Sequence, residues 1–299
     1  MAKCIPSAIL KNSPEGYSMP LEGFGVAAME PELLRSSLNE AVRAGFRFFD
    51  CAPEYGNEKE VGEVLRNCGV PREELFISTK LEGRDHAYDK AIAACEYSLK
   101  NMGLDYLDCY LIHWPMPEQG LFTEAWRALE DLQKAGKVRV IGLSNFKKHH
   151  IEEILKTCTI KPMANELEIN PYHTQTALRE YCQEQGMRVI NWFPMGGPRN
   201  PLHPYPIENY KVLMEDELLQ EIGNKYGKTI GQVALRWAID HGITPIPKSS
   251  NAGRIQQNRD VFDFQLTAEE MAAIDALNHD RQMGPDSDTY NEFVDLSAY

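Results

Sequence analysis

The sequence predicts an α/β fold, a (β/α)8 TIM barrel with an N-terminal β-hairpin and extra loops or helices at its C-terminal face. Three observations predict it. Eight short β-rich runs alternate with segments in which apolar residues recur at helical spacing. Each run ends in a polar or charged residue that opens a loop. The eight units lie between Gly23 and Leu277 and take about the 250 residues typical of such a barrel. Strands that alternate with helices argue for a parallel sheet. A doubly wound open sheet is the alternative, because periodicity does not reveal closure.

In chain order, runs 5–10 and 17–21 flank the turn-rich stretch 11–16 and form the expected hairpin. The barrel strands are expected at 23–27, 46–50, 76–80, 107–113, 138–144, 163–169, 188–194 and 243–248. Between them, Leu34, Leu38, Ala41 and Val42 share one helical face. So do Ile92, Cys95, Leu99 and Met102, then Phe122, Ala125, Trp126 and Leu129, then Ile230, Val233, Ala234, Trp237 and Ala238. Gly45, Gly103, Gly136, Gly186, Gly227 and Gly242 stand where left-handed helix caps are wanted. Thr267 opens a capping box for a last helix to about Leu277. The proline-rich stretch 196–210 is expected as a long loop on the ligand-binding face. The polar tail 279–299 is a lid or a loose end. The whole chain, 1–299, is expected as one domain: hairpin 1–22, barrel 23–278 and tail.

Composition narrows the function. The 299 residues are 43% hydrophobic and 25% charged, which is ordinary globular composition. The net charge of −13 argues against nucleic acid as a partner. No apolar run is long enough to span a bilayer, so no membrane partner is expected. The first residues, Met1-Ala2-Lys3-Cys4-Ile5-Pro6, lack the apolar core of a signal peptide. Seven scattered cysteines without a C-x-x-C pair read as reduced thiols in a cytoplasm. A monomer is compatible with the sequence.

Catalytic residues of a barrel sit at the carboxyl ends of its strands. Those ends present Asp50, with Tyr55 five residues on, Lys80 and His113. A phenol has a pKa near 10 and is a poor acid at pH 7. A neighbouring ammonium stabilises the phenolate and lowers that pKa. Asp50 would hold Lys80 charged, and His113 would donate to a carbonyl oxygen. Such a site protonates an alkoxide as it forms, so it needs a hydride source. Ser144 and Asn145 offer groups to fix a carboxamide, and Trp192 offers a face for a flat ring. Lys248 and Ser249, with Arg254 and Asn258 opening a helix, make an anion site that fits a 2′-phosphate or a sugar phosphate.

With these segments in order, the chain resembles an aldo-keto reductase over nearly its whole length. The matching stretches run from Phe49 to Glu58, Ser78 to Lys80, Leu111 to Pro115 and Gly142 to Phe146, and from Ile246 to Ser249 with Arg254 and Asn258. The resemblance implies a barrel that binds NADPH without a Rossmann domain. It implies Tyr55 as proton donor, with Asp50, Lys80 and His113 completing a tetrad. It implies Ser144 and Asn145 as carboxamide binders, and Lys248, Ser249, Arg254 and Asn258 as a 2′-phosphate clamp. Four positions depart from the family's usual pattern. Glu166 stands where a glutamine commonly meets the carboxamide, and Trp192 where a tyrosine usually stacks. Ala27 and Glu82 stand where many members carry tryptophans around the substrate. With Trp114 left as an apolar wall, a wider and more polar pocket follows, suited to a sugar or keto acid.

Other readings attach to single residues. Gly23-Phe24-Gly25-Val26-Ala27-Ala28 matches a dinucleotide fingerprint, but alone it leaves Tyr55, Lys80 and His113 unexplained. Lys80 could serve a Schiff-base aldolase, and a non-catalytic nicotinamide-binding partner protein is a further alternative. No metal-ligand spacing appears, so no metal site is expected. His149 and His150 are read as surface residues, and Trp126 and Trp237 as core.

Overall fold

The computed structural model describes residues 5–196 and 212–290. The hairpin is present: β1 (Ser7–Ile9) pairs antiparallel with β2 (Ser18–Pro20), Ala8 opposite Met19. From its turn the Asn12 amide donates to the Pro162 and Gln185 carbonyls at 2.7 and 2.9 Å. Both carbonyls precede barrel strands, so the hairpin covers the N-terminal end of the barrel.

Eight parallel strands follow, each paired with the next in the chain. They are β3 (Phe24–Gly25), β4 (Phe48–Asp50), β5 (Phe76–Leu81), β6 (Leu107–Ile112), β7 (Val138–Ser144), β8 (Ala164–Glu168), β9 (Arg188–Trp192) and β10 (Ile243–Pro245). Two backbone bonds close the ring: Gly23 N–H to the Pro245 carbonyl at 2.9 Å, and Gly25 N–H to the Pro247 carbonyl at 3.1 Å. The fold is therefore a (β/α)8 barrel, and the open-sheet alternative falls. The same bonds explain the glycines of the apparent dinucleotide fingerprint. A Cβ on Gly23 would stand 2.7 Å from the Phe48 ring, and one on Gly25 3.1 Å from the Ile246 carbonyl. These glycines let the first strand close against the last.

The helices are α1 (Pro31–Ala44), α2 (Glu58–Arg66), α3 (Tyr88–Met102), α4 (Phe122–Lys134), α5 (Lys148–Thr157), α6 (Thr176–Glu184), α7 (Glu217–Tyr226), α8 (Ile230–Asp240), α9 (Ala252–Arg259) and α10 (Ala268–Asp275). Their expected faces are the buried ones, except that Ile92 is only partly buried. Trp126 and Trp237 lie in the core, and Thr267 caps α10 through a reciprocal bond with Glu270. All six cap glycines have positive φ.

One surface assignment is wrong. His149 is exposed, but His150 is buried against the Phe122 and Phe146 rings, with centroids 6.0 and 5.9 Å away. Both imidazoles reach the Asp288 carboxylate, at 2.8 and 3.2 Å. The reason is tertiary. The tail returns across the first turn of α5, where adjacent side chains can meet one carboxylate, and the Lys147 ammonium joins them at 2.6 Å from Asp288. Tail residues 279–290 are thus docked. The expected loop 196–210 falls, beyond Gly196, outside the described residues.

Candidate active site

Two neighbouring strands, β4 and β5, and the more distant β8 build the first half of the site. Asp50 ends β4, and its register partner Ser78 on β5 donates to Oδ1 at 2.7 Å. Lys80, two residues on and facing the same side, donates from Nζ to Asp50 Oδ2 at 2.6 Å and to the Cys51 carbonyl at 3.1 Å. From β8, Glu166 Oε1 stands 3.5 Å from the same ammonium. Lys80 is wholly buried. Burial alone would lower its pKa, but Asp50 and Glu166 outweigh burial and hold the ammonium well above its ordinary value.

Tyr55 arrives on the short turn Pro53–Tyr55. Its ring centroid lies 5.6 Å from Lys80 Nζ, and it meets the His113 ring edge-on at 6.2 Å. The four expected catalytic residues therefore converge. The expected lowering of the phenol pKa does not occur. Burial pushes Tyr55 up and Lys80 opposes it, while Asp50 and Glu166 add to the rise. An ammonium already shared by two carboxylates has little net charge left for a phenolate.

His113 follows β6. Its Nδ1 lies 3.0 and 3.2 Å from the two oxygens of Glu82 and 3.7 Å from Glu54. Burial lowers the imidazole pKa, but Glu82 outweighs burial and raises it. Burial likewise raises Glu82, and His113 reverses that. Trp114 is partly buried and packs against Tyr290 of the tail, ring centroids 4.6 Å apart and tilted by 46°. Ala27 is partly buried and follows Val26, whose N–H donates to the Asp50 carbonyl.

The cofactor residues lie on the adjoining strand ends. Asn145 adopts a left-handed φ of 63°, which asparagine tolerates. Its amide donates to the His113 carbonyl and to Ser144 Oγ, at 3.1 and 3.0 Å, and its oxygen accepts from Trp192 Nε1 at 3.0 Å. Glu166 Oε2 is buried without a partner among the described residues, an acceptor left for a ligand N–H. Burial, then Asp50, pushes Glu166 up to about 7. At the opposite rim Lys248 is exposed, and Ser249 Oγ accepts from Asn251 N–H at 3.1 Å. Asn251 caps α9 by accepting from Arg254 N–H at 3.0 Å. The Arg254 side chain is exposed and Asn258 is buried. An unfilled buried acceptor on one side, and on the other Lys248, whose ammonium donates to the Ala28 carbonyl at 3.2 Å, with Arg254 in the first turn of α9, fit the two ends of a nicotinamide dinucleotide phosphate.

Comparisons with known proteins agree. A sequence model of the aldo/keto reductase family matches residues 21–279. The chain belongs to that family. It is 43% identical over 274 residues to glyoxal reductase of Bacillus subtilis, covering 91% of this chain and 94% of that one. It is 42% identical over 273 residues to 9,11-endoperoxide prostaglandin H2 reductase of Trypanosoma cruzi, covering 91% and 92%. The crystal structure of a Bombyx mori aldo-keto reductase in complex with NADP superposes with a TM-score of 0.86 at 36% identity, covering 96% of this chain and 97% of that one. As a member of the aldo/keto reductase family, the chain is an NADP-dependent oxidoreductase that acts on carbonyl groups. Among the described residues no helix is long and apolar enough to cross a membrane.

Sequence reasoning missed three participants. Glu54 lies inside a matched segment but at no strand end. Glu168 ends β8 and accepts from the Met283 and Gly284 N–H groups, each at 2.7 Å. Gly284 in turn lies on Trp192: a Cβ there would stand 2.5 Å from the indole. Glu168 was visible as a charge at a strand end, but the aperiodic tail that it binds carried no signal.

Proposed function

We propose that this aldo/keto reductase reduces a small, polar, uncharged aldehyde or ketone to its alcohol, with Tyr55 as proton donor. The observation that carries the reading is the convergence of Tyr55, His113 and the Asp50–Lys80 pair at one mouth of the barrel. NADPH, when bound, supplies the hydride to the carbonyl carbon. Ser144, Asn145 and Glu166 would hold its carboxamide, Trp192 would offer its face to the ring, and Lys248, Ser249, Arg254 and Asn258 would hold the 2′-phosphate. Tyr55 gives its proton to the carbonyl oxygen, so hydride and proton together make the alcohol. The phenol stands in its neutral form, the form that can donate, and the Lys80 ammonium offsets only part of the rise that burial and the two carboxylates impose on it. Asp50 keeps Lys80 in place, and His113 orients the carbonyl.

The substrate class rests on the lining. Glu54 and Glu82 disfavour an anionic keto acid and favour hydroxyl-bearing or dicarbonyl compounds. The name of the B. subtilis relative, a glyoxal reductase, supports the same class. Two other readings lose support. A Schiff-base lysine must be a free amine, whereas Lys80 is held cationic by two carboxylates. A protein that only binds nicotinamide would not need the four convergent groups.

Tyr55→Phe tests the assignment. Consumption of NADPH with glyoxal or a sugar aldehyde is expected to fall by roughly 10²–10⁴-fold. NADPH binding, followed by quenching of tryptophan fluorescence, is expected to stay near normal. Retained turnover would refute the role.

A further inference from the structure

We propose that Glu82 is a positioning residue that keeps His113 as an imidazolium, so that Nε2 carries a proton for the oxygen of the substrate carbonyl. The inference rests on the carbonyl-reduction reading above and names how the same site is set for it.

The geometry begins at Nδ1. Both oxygens of Glu82 lie within hydrogen-bond distance of it, at 3.0 and 3.2 Å. A carboxylate only accepts, so Nδ1 carries a proton. In a neutral imidazole the other nitrogen would then bear a lone pair and could not donate to a carbonyl oxygen. Donation from Nε2 requires the second proton, and with it the positive charge. Nε2 makes no hydrogen bond among the described residues, so it is open to a ligand.

The surroundings assign that charge to the Glu82 pair. Glu82 and His113 are 4% and 7% exposed, so their attraction is little screened. The Glu54 backbone N–H donates to Glu82 Oε1 at 3.2 Å and fixes the carboxylate. The Glu54 carboxylate, 3.7 Å from Nδ1, adds a second negative group, and Arg84 partly offsets it. On the other side Lys80 opposes a positive imidazole, but Asp50 and Glu166 already pair with it. Glu166 itself attracts His113. Tyr55 touches the ring edge-on in its neutral form. His86 faces Glu82, but burial holds it neutral, with its pKa lowered to about 4, so it does not compete. The two cations of the mouth are thus divided between two acidic pairs: Lys80 to Asp50 and Glu166, His113 to Glu82 and Glu54.

A charge at His113 has a directional consequence. A cation beside the carbonyl oxygen stabilises the negative charge that develops as hydride arrives. Reduction is then favoured while the imidazolium persists, and declines as pH rises through the raised His113 titration.

The test is Glu82→Gln, which keeps the shape and hydrogen bonding of the side chain and removes its charge. Nitrogen NMR of labelled histidines follows His113, assigned with His113→Asn. In the variant the His113 midpoint is expected to fall by about one pH unit, a tenfold loss of proton affinity. Turnover at neutral pH is expected to fall about tenfold, its alkaline decline is expected to begin at lower pH, and NADPH binding is expected to stay within about twofold. Glu82→Asp is expected to restore part of both shifts. A His113 midpoint unchanged in Glu82→Gln overturns the proposal and leaves carbonyl reduction standing. A shifted midpoint in a protein that reduces no carbonyl overturns the functional reading and leaves the Glu82–His113 pair standing. Because the titration is measured on wild type as well, a midpoint there at or below that of a free histidine also overturns the proposal.

Discussion

Each end of the barrel buries a cluster of opposite charges, and the two clusters differ in what they leave over. At the N-terminal end Asp108, at the start of β6, meets Arg72 at 2.6 Å, Arg139 at 3.2 Å and the Ile77 N–H at 2.9 Å. Both arginines also lie over the Tyr106 ring, at 4.0 and 3.9 Å. Every oxygen of that carboxylate is engaged, and the cluster ties strands together. At the C-terminal end Lys80 joins Asp50 and Glu166, but among the described residues Glu166 Oε2 and His113 Nε2 have no hydrogen-bond partner, and Tyr55 is neutral beside the ammonium. Burial and charge alone do not mark a site. At the mouth, an unpartnered carboxylate oxygen lies in the same cluster as a neutral phenol and an imidazole, the groups that carbonyl chemistry uses.

The sharpest way to break this contrast is Lys80→Met. It leaves Asp50 and Glu166 facing each other without their cation. Turnover is expected to fall by roughly 10²–10⁴-fold, measured as NADPH consumption. Turnover within a few-fold of wild type would put the mouth cluster in the same structural class as the other. Asp108→Asn is the converse. It leaves two arginines, each partly exposed, without their carboxylate. A loss of about 2 kcal/mol in stability is expected, less than for fully buried pairs. It is checked by denaturant unfolding, with turnover per folded molecule unchanged.

Glu166→Gln sharpens the comparison with a smaller effect. The Glu166 pKa lies above the ordinary carboxylate range, at about 7, so the folded state binds a proton that the unfolded chain releases. Its contribution to stability therefore falls as pH rises from the ordinary range through about 7. Glutamine removes this dependence. Between pH 5.5 and 8, the melting temperature of wild type is expected to drop by more than that of the variant. Parallel slopes would mean that Glu166 ionises like an ordinary carboxylate.

Much of this was legible in the chain. The strand runs were visible because each is a short apolar segment closed by a polar residue, and the α4 and α8 faces because their spacing repeats at 3.6. Asp50, Lys80 and His113 were visible as charges at strand ends. The pairings among them were not. Glu82 appeared only as a missing tryptophan, and its bond to His113 joins residues 31 apart in the chain. His150 was assigned to the surface because its burial depends on a tail that returns from residue 288.

The sequence by itself determined the order of elements, the end of the barrel that carries chemistry and the types of group found there, because periodicity, caps and strand ends are local properties. Only the tertiary structure decided closure, the pairing of Lys80 with Asp50 and Glu166 and of His113 with Glu82, and the direction in which each group's pKa moves. Closure rests on two hydrogen bonds between the first and last strands, and a pKa depends on burial and on neighbours from distant strands. Those quantities exist only once the chain has brought its ends together.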